Sequence, residues 1–169
     1  MDRAALHREL DEARTTFHRL ASEANDAALR RPSEGTRWTN KQLLFHMLLG
    51  YLILRALRLL VLAFGRLPDR VSRGYARVLN AATRPFDAVN YLGSRFGGNT
   101  LSTRQMEALF DRTIDRLHRR LDAESDTDLA RSMHYPTRWD PFFTDRMTLA
   151  DVYHFATQHF EFHRRQLTL

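Results

Sequence analysis

Residues 148–167, TLADVYHFATQHFEFHRRQL, contain two histidines at positions where an amphipathic helix would place apolar core residues. Apolar side chains recur every three or four residues through this stretch, which is the period of a helix with one buried face. Thr148 and Asp151 stand three residues apart at its start, as in a capping box, and the carboxylate suits the positive end of a helix. The segment is therefore predicted to be a helix whose inner face includes His159 and His163.

Three earlier segments show the same helical period, and they cover about residues 2–29, 39–64 and 101–121. The second begins at Thr39, where Gln42 completes another capping-box pattern, and it ends before Gly65 and Pro68. No strand pattern separates the four segments. We therefore predict an all-α protein, a four-helix bundle that forms a single domain over residues 1–169.

Two stretches lack a helical period of useful length. Residues 66–100 are punctuated by glycine and proline, so we predict a long connector between helices two and three that contains one or two short helices. Residues 133–143 are too rich in proline to be regular, yet they are rich in aromatic side chains. This second stretch is predicted to be an irregular loop that packs against the bundle.

The composition excludes several kinds of site. The chain has 169 residues and no cysteine, so thiolate metal sites, disulfides and a cysteine nucleophile are all ruled out. The net charge is +6, and all but one of the 26 basic residues are arginine, Lys41 being the exception. Because the arginines are spread along every segment and alternate with acidic residues, the charge does not predict a nucleic-acid partner.

The apolar stretch from Leu43 to Phe64 resembles a membrane span in length. Arg55 and Arg58 would then lie within the hydrocarbon, which is costly, so we do not predict a membrane protein. The first residues resemble neither a signal peptide nor a transit peptide. A cytoplasmic protein is the expectation.

Helical geometry indicates where the side chains of the second helix point. At about 100° per residue, His46, Ile53 and Leu57 share one apolar face, whereas Arg55 and Arg58 lie on the opposite side, where they reach solvent or acidic partners. Four further leucines lie away from His46 and need a cover, namely Leu48, Leu52, Leu59 and Leu62. The connector, the partner in a homodimer or a membrane surface are the candidates for that cover.

Three inward histidines then come from two helices. Residues four apart are neighbours on a helix, so His159 and His163 can reach one divalent ion together, and His46 can complete a three-histidine set. Three protein ligands leave a coordination position for water or substrate, as in catalytic metal sites. The alternative is that each imidazole is a buried polar group bonded to its neighbours, and spacing alone leaves both interpretations open.

Several of these residues together resemble the DinB/YfiT-like superfamily. They are Trp38-Thr39-x-x-Gln42 at the start of the second helix, His46 one turn later, and His159-x-x-x-His163-Arg164-Arg165-Gln166-Leu167 at the end. The resemblance implies a four-helix bundle in which His46, His159 and His163 hold zinc or nickel. It also implies that Gln166 supports a ligand imidazole.

Two kinds of function follow, the first implied by the resemblance and the second indicated by the surplus leucines of the second helix. The first is a metal-dependent transferase or isomerase that activates a low-molecular-weight thiol, which a chain without cysteine would take from a small-molecule cosubstrate. The second is a non-catalytic binding or dimerisation protein of the stress-response type, in which the metal only stabilises the bundle. A loop containing His134, Tyr135, Arg138 and Trp139 either forms a lip over the metal or simply packs on the bundle. The remaining histidines are predicted to be surface residues: His7, His18, His118 and His154.

Overall fold

The structure is a computed structural model that describes residues 2–169. Its helices are α1 (Arg3–Glu23), α2 (Asp26–Arg30), α3 (Asn40–Phe64), α4 (Asp69–Ala81), α5 (Thr83–Thr100), α6 (Thr103–Ala123), α7 (Asp126–Leu129) and α8 (Leu149–Arg164). The strands are β1 (Ser132–His134) and β2 (Arg146–Thr148), which pair antiparallel. Over the described residues the chain is mostly helical, as predicted.

Four long helices surround the main core. Helix α1 packs against α6 and α8, and α3 packs against the same two helices, which closes a ring. Four fully buried aromatic rings, one from each of these helices, meet at the centre, namely Phe17, Tyr51, Phe110 and Phe160. Phe110 contacts the other three rings, with centroids 4.6 to 6.1 Å apart. These contacts bring α3 and α8, the two helices that carry the inward histidines, side by side.

The predicted helix starts are confirmed. Thr39 and Thr148 both form capping boxes with the side chains of Gln42 and Asp151. The first predicted helix, however, does not run unbroken to residue 29. It ends at Glu23, and the Asn25 side chain accepts a hydrogen bond from the amide of Ala28 to start the separate helix α2. The predicted helix is divided because Asn25 caps a new helix within a stretch of regular apolar spacing. Asparagine side chains compete with the helix for backbone donors.

The connector is more ordered than predicted. It contains two helices, but α5 has 18 residues, close in length to the helices of the ring, and it packs along α3. A Cβ added at Gly98 would lie 2.6 Å from Cα of Gln42, so this glycine permits close approach of the two helices. Gly97 lies similarly close to the Phe45 ring. The glycines of the connector predict interrupted helices, whereas in the structure Gly97 and Gly98 allow close packing of α5 against α3.

The two short strands correct the expectation that no strand is present. Met133 pairs with Met147, and both side chains are buried. Strands of three residues are too short to show an alternating pattern in the sequence. Their pairing anchors both ends of the aromatic loop between them, so residues 135–145 are held against the bundle.

Helix α3 is long and apolar enough to cross a membrane by length and composition. In the structure it contacts α5, α6 and α8, and 39% of its most apolar stretch is buried within the fold. Leu48, predicted to need an external cover, is instead fully buried in the core. Leu52 and Leu62 are partly buried against the core, and Leu59 remains 59% exposed.

Candidate metal centre

Three imidazoles meet between α3 and α8. His46 comes from α3, and His159 and His163 lie one turn apart on α8. One nitrogen from each ring lies within 4.8 Å of the other two, and His46 and His159 are buried. The structure therefore brings together the three histidines that the sequence singled out, in a group that could hold a metal ion.

Ser94 on α5 lies beside Nδ1 of His46. Its hydroxyl is 2.8 Å from the backbone carbonyl of Asn90 and 3.0 Å from Nδ1 of His46, and its one hydrogen can go to either acceptor. When Ser94 donates to the carbonyl, Nδ1 of His46 donates to Ser94 and Nε2 has a free lone pair. That is the tautomer in which His46 can bind a metal ion through Nε2.

Gln166 determines the tautomer of His163. Its Nδ1 lies 2.7 Å from Oε1 of Gln166, an amide oxygen that can only accept a hydrogen bond. Nδ1 of His163 is the donor, so Nε2 again has a free lone pair. Gln166 thus accepts a hydrogen bond from one of the proposed ligand imidazoles, as the family resemblance implies.

In these metal-binding tautomers, two lone pairs face each other. Nε2 of His46 and Nε2 of His163 are 3.2 Å apart, and neither carries a proton to share in these tautomers. Two nitrogens bound to one tetrahedral metal ion at 2.0–2.1 Å would be separated by about 3.3 Å. The observed separation thus fits a shared cation, which would relieve the repulsion between the two lone pairs.

The histidines are held in the neutral form, which is the form that binds metal. Burial and the nearby His163 lower the pKa of His46 to about 3. Burial, reinforced by the two neighbouring imidazoles, lowers the pKa of His159 well below its usual value. The pKa of His163 is also lowered by burial, although its bond to Gln166 opposes the change.

His159 completes the group. Its Nδ1 is buried and has no hydrogen-bond partner among residues 2–169. A Cβ at Gly50 would lie only 2.9 Å from that atom, so glycine makes room for the ring one turn after His46. On the other side, Nε2 lies 3.8 Å from Oδ2 of Asp140, beyond hydrogen-bond distance.

Asp140 is a functional candidate that the sequence analysis missed. Its side chain is 13% exposed, and burial raises the pKa of its carboxyl group to about 6. Oδ1 accepts a hydrogen bond from the amide of Phe142. The only signal in the sequence is a single carboxylate inside an aromatic loop, Arg138 to Phe143, and that pattern has no defined spacing to His159.

The aromatic loop was predicted either to form a lip over the metal or to pack on the bundle, and its residues differ in which of these they do. Trp139 lines the cavities beside His46 and His159. His134 does not reach the centre, because it is buried between the carboxylates of Asp69 and Asp145. Tyr135 packs in the core near the Leu57 carbonyl.

The other four histidines lie outside the centre. Each is partly exposed and has an acidic partner: His7 with Asp122, His18 with Asp111, His118 with Asp11, and His154 with Glu9. They join neighbouring helices at the surface. The group of three is thus distinguished by the absence of a hydrogen-bonded carboxylate.

The fold and the site together define a helical protein with a buried three-histidine centre between two helices of a ring. The family model described as the DinB superfamily matches residues 9–167, so the chain belongs to the DinB superfamily. Searches of curated proteins and of solved structures found no significant match.

Proposed function

We propose that this protein is a divalent-metal-dependent enzyme in which His46, His159 and His163 hold the ion. The observation that carries the proposal is the convergence of the three imidazoles, in which Nε2 of His46 lies 3.2 Å from Nε2 of His163. Zinc and nickel both accept imidazole ligands, and three protein ligands leave room for a small molecule. The match to the DinB superfamily supports the same assignment.

The proposed reaction is a transfer or isomerisation that uses a low-molecular-weight thiol. A bound divalent ion would favour the deprotonated form of a coordinated thiol or water near neutral pH. The chain has no cysteine, so the thiol must come from a cosubstrate. Ser94 and Gln166 hold the imidazoles in position, and the Trp38 ring stacks on His46 at 4.4 Å, which limits access of water from that side.

An outer cavity beside His163 suits a polar cosubstrate. Arg37, Trp38 and Tyr91 line it, with the guanidinium of Arg37 lying 4.5 Å from the centre of the Tyr91 ring. Arg37 forms no ion pair within residues 2–169 and is exposed, so its charge is available to a carboxylate on the incoming molecule. We propose this cavity as the entry side for the thiol.

Metal content tests the ligand assignment. Protein purified without a histidine tag is expected to contain about one zinc or nickel ion per chain by elemental analysis. His159→Ala should lose the ion, whereas His154→Ala, on the same helix but bonded to Glu9, should retain it. Equal metal content in both variants would contradict the proposal.

Thiol dependence then separates an enzyme from a non-catalytic metal-stabilised protein. The metal-loaded protein is mixed with small thiols and model electrophiles, and a rate above that of the uncatalysed reaction is expected. His159→Ala should abolish that rate. If no thiol gives a rate while chelation still lowers the melting temperature, the ion has the structural role instead.

A further inference from the structure

A groove between α3 and α6 is lined mainly by arginine. Its volume is about 520 Å³, which is within the usual range for small-molecule sites. Leu59 and Leu117 form its apolar lining, and the arginines are Arg55, Arg58, Arg116, Arg119 and Arg120. Within residues 2–169, none of the residues that line it is acidic. We call it the arginine groove.

Helix α6 separates its charges between two sides. All four of its acidic residues pair with α1: Glu107 and Asp111 with His18, Asp115 with Arg14, and Asp122 with His7. Arg116, Arg119 and Arg120 have the three- and four-residue spacing of one helix face, and they line the groove on the side of α3. The acidic residues of α6 are therefore used in the contact with α1, and the basic ones are left in the groove.

Most of the positive charge in the groove has no counter-charge from the protein. Arg58 is the exception, because it pairs with the buried Glu124. The exposed arginines of the groove that form no ion pair within residues 2–169 are Arg55, Arg116, Arg119 and Arg120. Like charges four residues apart, such as Arg116 and Arg120, destabilise a helix slightly. A bound anion would offset this repulsion.

The arrangement of the arginines favours phosphate over a simple anion. A guanidinium group can donate two parallel hydrogen bonds to one phosphate, and arginine is preferred at phosphate sites for this reason. One phosphate cannot pair with unpaired arginines on both helices as well as several phosphates in a row can. A polymer or a membrane would need a basic surface that continues beyond the groove, whereas the adjoining side of α6 carries the acidic residues.

We propose that the arginine groove binds a small soluble compound that carries two or more phosphate groups. The phosphates bridge the two helices, with Arg55 on α3 and with Arg116 and Arg120 on α6 as their main contacts. None of the three proposed metal ligands lines the groove, so this site is separate from the histidine centre.

The first test compares orthophosphate, pyrophosphate and tripolyphosphate by calorimetry. Tripolyphosphate is expected to bind at least about tenfold more tightly than orthophosphate, because each further hydrogen bond to a charged group adds roughly one order of magnitude in affinity. The affinity should decrease as salt is added. Because polyphosphates also bind divalent ions, the measurement is repeated after chelation, and the affinities should not change. Absence of binding, or equal affinity for the three anions, would overturn the proposal.

A matched pair of double variants locates the anion. Arg116→Gln with Arg120→Gln should lower the affinity for tripolyphosphate by about tenfold or more. Arg8→Gln with Arg104→Gln removes the same charge from exposed arginines outside the groove, and the affinity should stay nearly the same. The groove variant should melt no lower than the wild type without ligand, because a repulsive pair is removed. Equal losses of affinity in the two variants would show attraction to the overall charge and contradict a defined site.

Larger anions are tested with a short DNA duplex and with vesicles of phosphatidylcholine and phosphatidylserine. Both are expected to bind more weakly than tripolyphosphate. If either binds more tightly, and Arg116→Gln with Arg120→Gln abolishes that binding, the groove serves a polymer or a membrane and the proposed ligand class is wrong.

This inference does not depend on the proposed function. His159→Ala should bind tripolyphosphate as the wild type does, and the groove variant should keep its metal ion. Loss of tripolyphosphate binding in His159→Ala would place the anion at the histidine centre and contradict the groove. Loss of metal in His159→Ala with normal anion binding would support both proposals independently.

Discussion

Two side chains beside the three histidines orient the imidazole rings. Ser94 and Gln166 each lie within hydrogen-bond distance of the Nδ1 atom of one histidine, which leaves Nε2 of both rings for the proposed metal ion. The family resemblance implied that Gln166 supports a ligand imidazole. Ser94 could not be predicted, because it is 48 residues from His46 and becomes a neighbour only when α5 packs along α3.

Gly50 is predicted to control the position of the His159 ring. In Gly50→Ala the added methyl would lie 2.9 Å from Nδ1 of His159, so the ring must shift. We expect metal affinity to fall about tenfold or more, as for other changes that misplace a ligand imidazole. Competition with a chromophoric chelator measures the affinity.

Gly74→Ala provides the control for this substitution. Gly74 is also inside a helix, but a Cβ there meets nothing within 4 Å. Alanine is favoured over glycine in helix interiors by about 1 kcal/mol, so this variant should be slightly more stable and bind metal normally. If Gly50→Ala also binds metal normally, His159 is not constrained as described.

At the level of helices and strands, elements with a strong local sequence pattern were predicted correctly, and elements with a weak pattern were not. The capping boxes at Thr39 and Thr148 are local hydrogen-bond patterns, and both are confirmed. Helix α5 was underestimated because Gly97 and Gly98 are needed for contact with α3, a requirement that exists only in the folded chain. The strands β1 and β2 have too few residues to show a period.

The contact between α3 and the end of α6 provides a test of stability. Arg58 forms an ion pair with Glu124, whose side chain is only 4% exposed, and burial raises the pKa of that carboxyl group while Arg58 opposes the rise. Arg58→Met would leave the buried carboxylate without its cationic partner. We expect a loss of about 3–5 kcal/mol in the free energy of unfolding at neutral pH.

The loss in Arg58→Met should decrease as the pH is lowered. Without the arginine, the folded-state pKa of Glu124 rises further above its unfolded value, so the penalty is absent when the group is protonated and grows as pH rises through the folded pKa. Urea unfolding at several pH values measures this trend. Arg55→Met, exposed and without an ion pair in residues 2–169, should change stability by less than about 0.5 kcal/mol.

For the whole molecule, metal binding is predicted to increase the stability of the fold, because the three proposed ligands come from α3 and α8. Free metal at about a thousandfold above its Kd would add about 4 kcal/mol. Thermal melting with and without a chelator measures the change. His46→Leu should melt at or above the temperature of the metal-free wild type, because leucine places a hydrocarbon on the apolar face of α3, and it should not respond to added metal.

A large decrease in the melting temperature of metal-free His46→Leu would contradict this account. It would mean that the contact of His46 with Ser94 and its stacking on Trp38 stabilise the fold more than a leucine at this position does.

Helix α5 lies outside the ring of α1, α3, α6 and α8, yet it supplies Phe86, Asn90 and Ser94 to the histidine site. Most of the core therefore lies within the ring, whereas part of the wall around the histidines comes from a helix outside it. Substitutions in α5 that spare its glycine contact with α3 would change that wall while the ring stays intact. Such a division would let one scaffold acquire new specificities by exchanging a single outer helix.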